Sequence, residues 1–183
     1  MAPLISWCTP LDKSKRYLTI LEIVLFGVLG ALMFALQVVM GFLPNIEPVS
    51  LLVMVFAVVF GWKCLYPIYI FVIMEFLFYG IGIWNVYYLY IWTVLAVAAM
   101  VMKKNQSPMG WALLSAVYGL LFGALCAIAD AFIGGIGFAA GKWVTGIPFD
   151  ITHCAGNFVI GLVLFKPVRN LVDKLYAQMR RSK

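Results

Sequence analysis

The stretch LTILEIVLFGVLGALMFALQVVMGFL, residues 18–43, decides the fold. Only Thr19, Glu22 and Gln37 interrupt it with hydrogen-bonding side chains. A bilayer-spanning helix needs roughly 20 apolar residues, so this run is long enough to cross. It is too long for a signal-peptide core and has no small-residue cleavage site, so it reads as a first membrane segment. The rest of the chain repeats the theme. Of 183 residues, 65% are hydrophobic and 11% charged. That is about 119 apolar positions, enough for about six spans at roughly 20 each. A soluble domain has too little core to hide so many apolar side chains and too few charges here to cover the remainder. The composition therefore excludes a soluble enzyme, a nucleic-acid-binding domain and a disordered chain.

Turn residues and charges divide the chain into six apolar segments. Segment 1 (18–43) ends at Pro44-Asn45-Ile46-Glu47-Pro48. Segment 2 (49–62) begins just after Pro48, which suits a first helical turn because its missing N–H costs nothing there. Lys63 marks a turn, segment 3 (65–81) stops at Gly80-Ile81-Gly82, and segment 4 (85–102) stops at Lys103-Lys104-Asn105. Segment 5 covers 110–133. A glycine-rich stretch from Gly134 to Gly146 reads as a loop, and segment 6 covers 148–165, with an amphipathic continuation to Leu175. The expectation is an all-α membrane protein, a bundle of six transmembrane helices. Residues 1–17 form a polar tail, 18–175 the membrane domain and 176–183 a basic tail.

The charges orient this bundle. Six crossings put both termini on one side, together with the 63 and 103–104 turns. Twelve Lys and Arg side chains then fall on that side, and Lys142 alone on the other. The imbalance places the N and C termini in the cytoplasm and leaves 44–48, 82–85 and 134–147 as short outer loops. The net charge of +6 is thus an orientation signal and not a nucleic-acid surface. The basic C-terminal end suits an anionic leaflet.

Several chemistries lack their residues. The Gly135–Lys142 stretch has the wrong glycine spacing for a phosphate loop, and Trp143 stands where a Ser or Thr would hold magnesium. No HExxH or GxSxG is present. Cys8, Cys64, Cys126 and Cys154 are too far apart in sequence to suggest a zinc site or a redox dithiol. No catalytic set, cofactor or metal is expected, and uphill movement of a solute would draw on an ion gradient or on a partner.

The remaining polar and small residues carry the functional expectations. Gly27, Ala31 and Ala35 recur every four residues on segment 1, and Ser115, Gly119, Gly123, Ala127 and Ala131 on segment 5. Such stripes let another helix approach closely, either inside the bundle or on a partner. Glu22 sits near a segment end, where headgroups or the Lys13–Arg16 cluster would serve it. Asp150, His153 and Asn157 share one helical face of segment 6. They make either a ligand or gating face or a structural network, in which Asn157 and Glu75, at similar depth, would bond to each other. Trp84, Tyr87, Tyr88, Tyr90 and Trp92 form either an interfacial belt or a stacking surface for a ringed ligand. With Asn85, Asp130, Lys142 and Trp143 they converge on the outer ends of segments 4 to 6. That is the layout of a capture site, apolar with a few placed polar groups.

Three stretches resemble the substrate-binding S component of an energy-coupling factor (ECF) vitamin transporter. They are Ala31-Leu32-Met33-Phe34-Ala35, the loop Leu43-Pro44-Asn45-Ile46-Glu47-Pro48-Val49-Ser50, and Gly146-Ile147-Pro148-Phe149-Asp150-Ile151-Thr152-His153-Cys154-Ala155-Gly156-Asn157-Phe158. The resemblance implies a prokaryotic plasma-membrane protein that captures a vitamin from outside. It would dock through Gly27, Ala31 and Ala35 on a membrane coupling protein carrying two cytoplasmic ATPases, and topple to deliver its cargo. It implies a ligand held by the outer halves of segments 4 to 6, and the cobalamin-type branch is the most similar. The acidic, aromatic mouth suits a neutral or cationic ligand, such as a thiamine-like cation or a pyrimidine precursor, better than a dianion. The residues alone also suit a different class, a stand-alone proton-coupled carrier using Glu75 and His153.

Overall fold

A computed structural model describes residues 18–42 and 48–181. The loop containing Glu47, and the tail with Lys13, Lys15 and Arg16, lie outside the described residues. The described chain is all-helical and has four stretches long and apolar enough to cross a membrane: Ile20–Met40, Val49–Tyr79, Ile83–Val101 and Pro108–Arg181.

Helix α1 (Ile20–Met40) starts at a capping box. The Thr19 hydroxyl accepts from the Glu22 N–H at 3.3 Å, and the Glu22 carboxylate accepts from the Thr19 N–H at 3.1 Å. Two backbone donors are thus satisfied where the helix leaves no internal partner. The 21 residues of α1 span about 32 Å, which matches a hydrocarbon core of roughly 30 Å. Helix α2 (Val49–Phe60) is the most enclosed, with every residue from Val49 to Ala57 buried. A 3₁₀ turn over Gly61–Cys64 follows and leads into α3 (Leu65–Tyr79). The 49–79 stretch reverses there. Gly61 holds φ +58°, which L side chains avoid, and frees the chain to turn back beside α1. From that turn, Lys63 meets Glu22, Tyr66 stacks on Phe26 and Phe78 meets Phe34, so α3 climbs alongside α1 in the same direction. Gly30 makes the pairing close. A Cβ there would sit 2.8 Å from the Pro67 carbonyl oxygen.

Segment 4 is two helices, α4 (Ile83–Tyr88) and α5 (Ile91–Val101), because the backbone breaks at Leu89 and Tyr90. The largest departure from the sequence expectation is α6 (Pro108–Arg181). Its only non-helical residue is Gly135, at φ 82° and ψ 169°, a conformation essentially reserved for glycine. The limbs on either side pair in opposite order. Asp130 meets Lys142, the Gly123 N–H meets Asp150, Ser115 meets Asn157, and Trp111 stacks on Phe165. So α6 is an antiparallel hairpin of a first limb (108–134) and a second limb (136–181). The expected loop 134–147 is therefore corrected: the turn is Gly135, and residues 136–147 are helix, with Pro148 inside it. Backbone groups in an apolar surrounding must bond within their own helix, and that demand outweighs the poor helix propensity of scattered glycines. Ile136, Phe138, Ala139, Ala140 and Trp143 give the stretch helix-compatible side chains.

The second limb runs well past the first and crosses the foot of α2. Tyr176 packs its ring on Phe60 at 4.9 Å and donates its hydroxyl to Glu22 Oε1 at 2.7 Å. The same oxygen accepts from Lys63 Nζ at 2.7 Å. Glu22 is thus buried at a three-way junction of α1, the 3₁₀ turn and the C-terminal helix, and not at a solvated end. Burial of a carboxylate is tolerable because both a cation and a hydroxyl serve it.

Candidate functional site

The end of the bundle opposite the Glu22 junction contains a cavity of about 520 Å³. Four elements build it. Gln37 comes from α1, and Trp84, Tyr87 and Tyr88 from α4. Phe122, Gly123, Cys126 and Asp130 come from the first limb of α6, and Lys142, Trp143, Thr145, Gly146, Phe149 and His153 from the second. The hairpin geometry gathers residues far apart in sequence, because limbs that descend from Gly135 bring 130 opposite 142 and 123 opposite 150.

Of the residues expected at the site, Trp84, Tyr88, Asp130, Lys142, Trp143 and His153 line the cavity. Three expected site residues do not. Asn85 is buried and turns its Oδ1 to the Gly82 N–H, capping α4. Asp150 is buried, and its Oδ1 accepts from the Gly123 N–H at 3.0 Å. Asn157 lies deeper and donates to Ser50 Oγ and to the Ser115 carbonyl, each at 3.3 Å. Its expected bond to Glu75 is not formed. Glu75 is buried on α3, outside the cavity lining, and its Oε1 has no partner among the described residues. The polar face of the second limb is therefore part network and part site: Asn157 holds helices together, and His153 faces the cavity.

The site has one charged centre. Asp130, 2% exposed, accepts from the Tyr87 hydroxyl and from Lys142 Nζ, the latter at 3.0 Å. Lys142 Nζ also donates to the Tyr87 hydroxyl and stands 4.9 Å from that ring's centroid. The Lys142 side chain is 45% exposed, so it reaches in from the rim. His153 forms the floor. It is 3% exposed, its ring lies edge-on to Phe122 with centroids 5.0 Å apart, and its Nε2 has no partner among the described residues. The aromatic group divides as well. Trp84 and Tyr88 meet edge to face at 5.4 Å on the cavity wall, whereas Trp92 is fully buried behind them and Tyr90 donates to the Leu125 carbonyl.

Gln37, Phe122, Cys126, Thr145, Gly146 and Phe149 went unassigned in the sequence reading. Gln37 had a signal, since a lone amide far along an apolar segment implies a cavity or a partner. Thr145 and Gly146 had none, because the glycine-rich stretch read as loop, and Phe149, in segment 6, carries no polar group to mark it. Replacing His153 with Ala is expected to weaken ligand affinity about tenfold, the equivalent of one lost hydrogen bond at roughly 1.4 kcal/mol. Asp150→Asn, which keeps an oxygen for the Gly123 N–H, is expected to leave affinity nearly unchanged. Titration calorimetry, with a ligand identified by native mass spectrometry of the purified protein, checks both. Unchanged affinity in His153→Ala would remove His153 from the ligand's contacts.

The small-residue stripes also part company. On the first limb, Gly119 and Gly123 are covered by the second limb. On α1, Gly27, Ala31 and Ala35 fall on the side opposite buried Phe26, Gly30 and Met33. A Cβ on Gly27 would meet nothing within 4 Å, Ala31 is half-buried, Ala35 is exposed, and Val24 and Val28 beside them are each 59% exposed. No protein-family model, curated protein or solved structure matches the chain.

Proposed function

We propose that this chain is the substrate-capture subunit, or S component, of an ECF-type importer, a multi-pass protein of a prokaryotic plasma membrane. The observation that carries the reading is one molecule with two separate surfaces. It has a polar-aromatic cavity at one end, and on α1 an uncovered face of small residues that does not line it. The first surface suits capture, and the second suits close approach of another membrane helix. The hairpin turns at 61–64 and Gly135 fit six crossings, and the lysine and arginine imbalance puts both termini in the cytoplasm with the cavity facing out. With no phosphate loop in the chain, the energy comes from a coupling protein and two ATPases. The ligand is a vitamin or related micronutrient. Drug-sized ligands fill cavities of about 300–1,000 Å³, and 520 Å³ suits a molecule of one or two rings better than a corrin with its nucleotide tail.

Native mass spectrometry of the purified protein tests for a co-purifying ligand. Proteoliposomes then test coupling, and uptake is expected only when the coupling protein, both ATPases and ATP are present. A second reading is a stand-alone proton-coupled carrier, favoured by the buried, unpartnered Glu75 carboxyl. Accumulation by the chain alone under a pH gradient would select it.

A further inference from the structure

We infer that Asp130 and Tyr87 form a subsite for a positively charged nitrogen of the ligand, and that Lys142 occupies this subsite until the ligand displaces it. The inference rests on the cavity being the ligand site, and it adds the ligand's charge. Asp130 is almost fully buried, and a buried carboxylate needs a cation and hydrogen-bond donors to be tolerated. Here the donor is the Tyr87 hydroxyl and the cation is the Lys142 ammonium. The two partners are held very differently. Tyr87 is 7% exposed and held on α4 as part of the hydrophobic core. Lys142 is on a flexible stem, nearly half exposed, and belongs to a thinly packed stretch of the second limb. A Cβ added at Gly137, Gly141 or Gly146 would meet nothing within 4 Å.

The surroundings suit a cation other than lysine. The ammonium stands over the Tyr87 ring at 4.9 Å and near the Phe138 ring at 5.7 Å, and Trp84 and Tyr88 offer further ring faces on the same cavity. Aromatic faces attract organic cations as well as ammonium groups. A ligand that brought no positive charge would have to leave Lys142 in place or strand the carboxylate. A cationic ligand exchanges one ion pair for another and frees Lys142 to move to the rim.

Cys126 lines the same cavity, which gives a probe that needs no knowledge of the ligand. The protein in detergent, carrying Cys8→Ser and Cys154→Ala, is treated with a trimethylammonium methanethiosulfonate and with its sulfonate counterpart. Cys64 is fully buried and stays in place. In Lys142→Ala the ratio of cationic to anionic labelling rate at Cys126 is expected to rise about tenfold over the parent, because the carboxylate is left open and focuses positive reagents. In Asp130→Asn the ratio is expected to fall below the parent's. Thermal unfolding supplies a second measurement. Millimolar n-propylammonium, which replaces the missing part of the lysine, is expected to raise the melting temperature of Lys142→Ala. It is expected to leave Lys142→Ala/Asp130→Asn unmoved, and n-propanol is expected to move neither. Equal labelling ratios in the parent and Asp130→Asn would overturn the subsite even if Lys142→Ala does not fold. So would stabilisation of Lys142→Ala by propanol as large as by propylammonium. Neither readout involves the coupling protein or ATPases, so a failed uptake assay would count against the importer and leave the subsite standing.

Discussion

If the chain is the proposed S component, tryptophan at Ala31 or Ala35 is expected to abolish uptake by the reconstituted importer while ligand binding to the isolated chain stays within about twofold. Ala35 is exposed and Ala31 half-buried, both on the side of α1 away from Phe26, Gly30 and Met33, so a larger side chain is expected to spare the core of the free protein. The cavity takes only Gln37 from this helix, and Gln37 shares the face of Phe26, Gly30 and Met33. The cost arises when a partner helix must approach. Small side chains let two backbones come close in a bilayer, where packing is the main source of attraction. An indole in that contact holds the helices apart along the whole stripe. A loss of about 3 kcal/mol of docking would lower complex formation by roughly 150-fold. The control is Val163→Trp. Val163 is 60% exposed on the second limb of α6, away from the stripe, and uptake is expected to survive there. Uptake assays in proteoliposomes with the coupling protein and ATPases measure all three variants. Uptake retained in Ala31→Trp and Ala35→Trp would remove α1 as the docking surface.

The same residues show how far the sequence could be read. The apolar run that became α1 was legible because composition and length suffice for a membrane helix, whereas the Thr19–Glu22 capping box that starts it went unread. The helical class followed from the same arithmetic. Position along α6 was less legible. Scattered glycines and Pro148 signal a loop in water, yet only Gly135 needs a conformation closed to other residues, and sequence alone does not single it out from Gly134, Gly137 or Gly141. That error hid the approach of Thr145 and Gly146 to the cavity. Lys142 and Asp130 were each visible as charges near one end, but their pairing depends on where the hairpin turns. Glu22 was misjudged for a related reason. Its nearest charges in sequence are in the N-terminal tail, whereas its partners, Lys63 and Tyr176, are 41 and 154 positions away.

Gly119→Val is expected to destabilise the protein by at least the 1–3 kcal/mol typical of overpacking and to abolish ligand capture. A Cβ at Gly119 would sit 2.8 Å from the carbonyl carbon of His153 and 2.9 Å from the amide nitrogen of Cys154. These are backbone atoms, so no rotamer change relieves the contact, and the second limb must move as a body. One turn earlier Asn157 bonds the Ser115 carbonyl, and one turn later Asp150 bonds the Gly123 N–H. Spreading the limbs at Gly119 therefore strains both bonds and leaves buried polar groups unpaired, which adds to the steric cost. The functional loss follows from the same displacement, because His153 is at the point of contact and forms the cavity floor. Gly27→Val makes the informative comparison. A Cβ there meets nothing within 4 Å, so stability and binding are expected to be kept and only uptake lost. Thermal unfolding in detergent, paired with calorimetric binding, separates the two glycines. If Gly119→Val kept its melting temperature and its affinity, the close approach of the α6 limbs would not be what shapes the cavity. If Gly27→Val lost stability as Gly119→Val does, the α1 stripe would belong to the bundle's own packing and no face of α1 would remain for a partner.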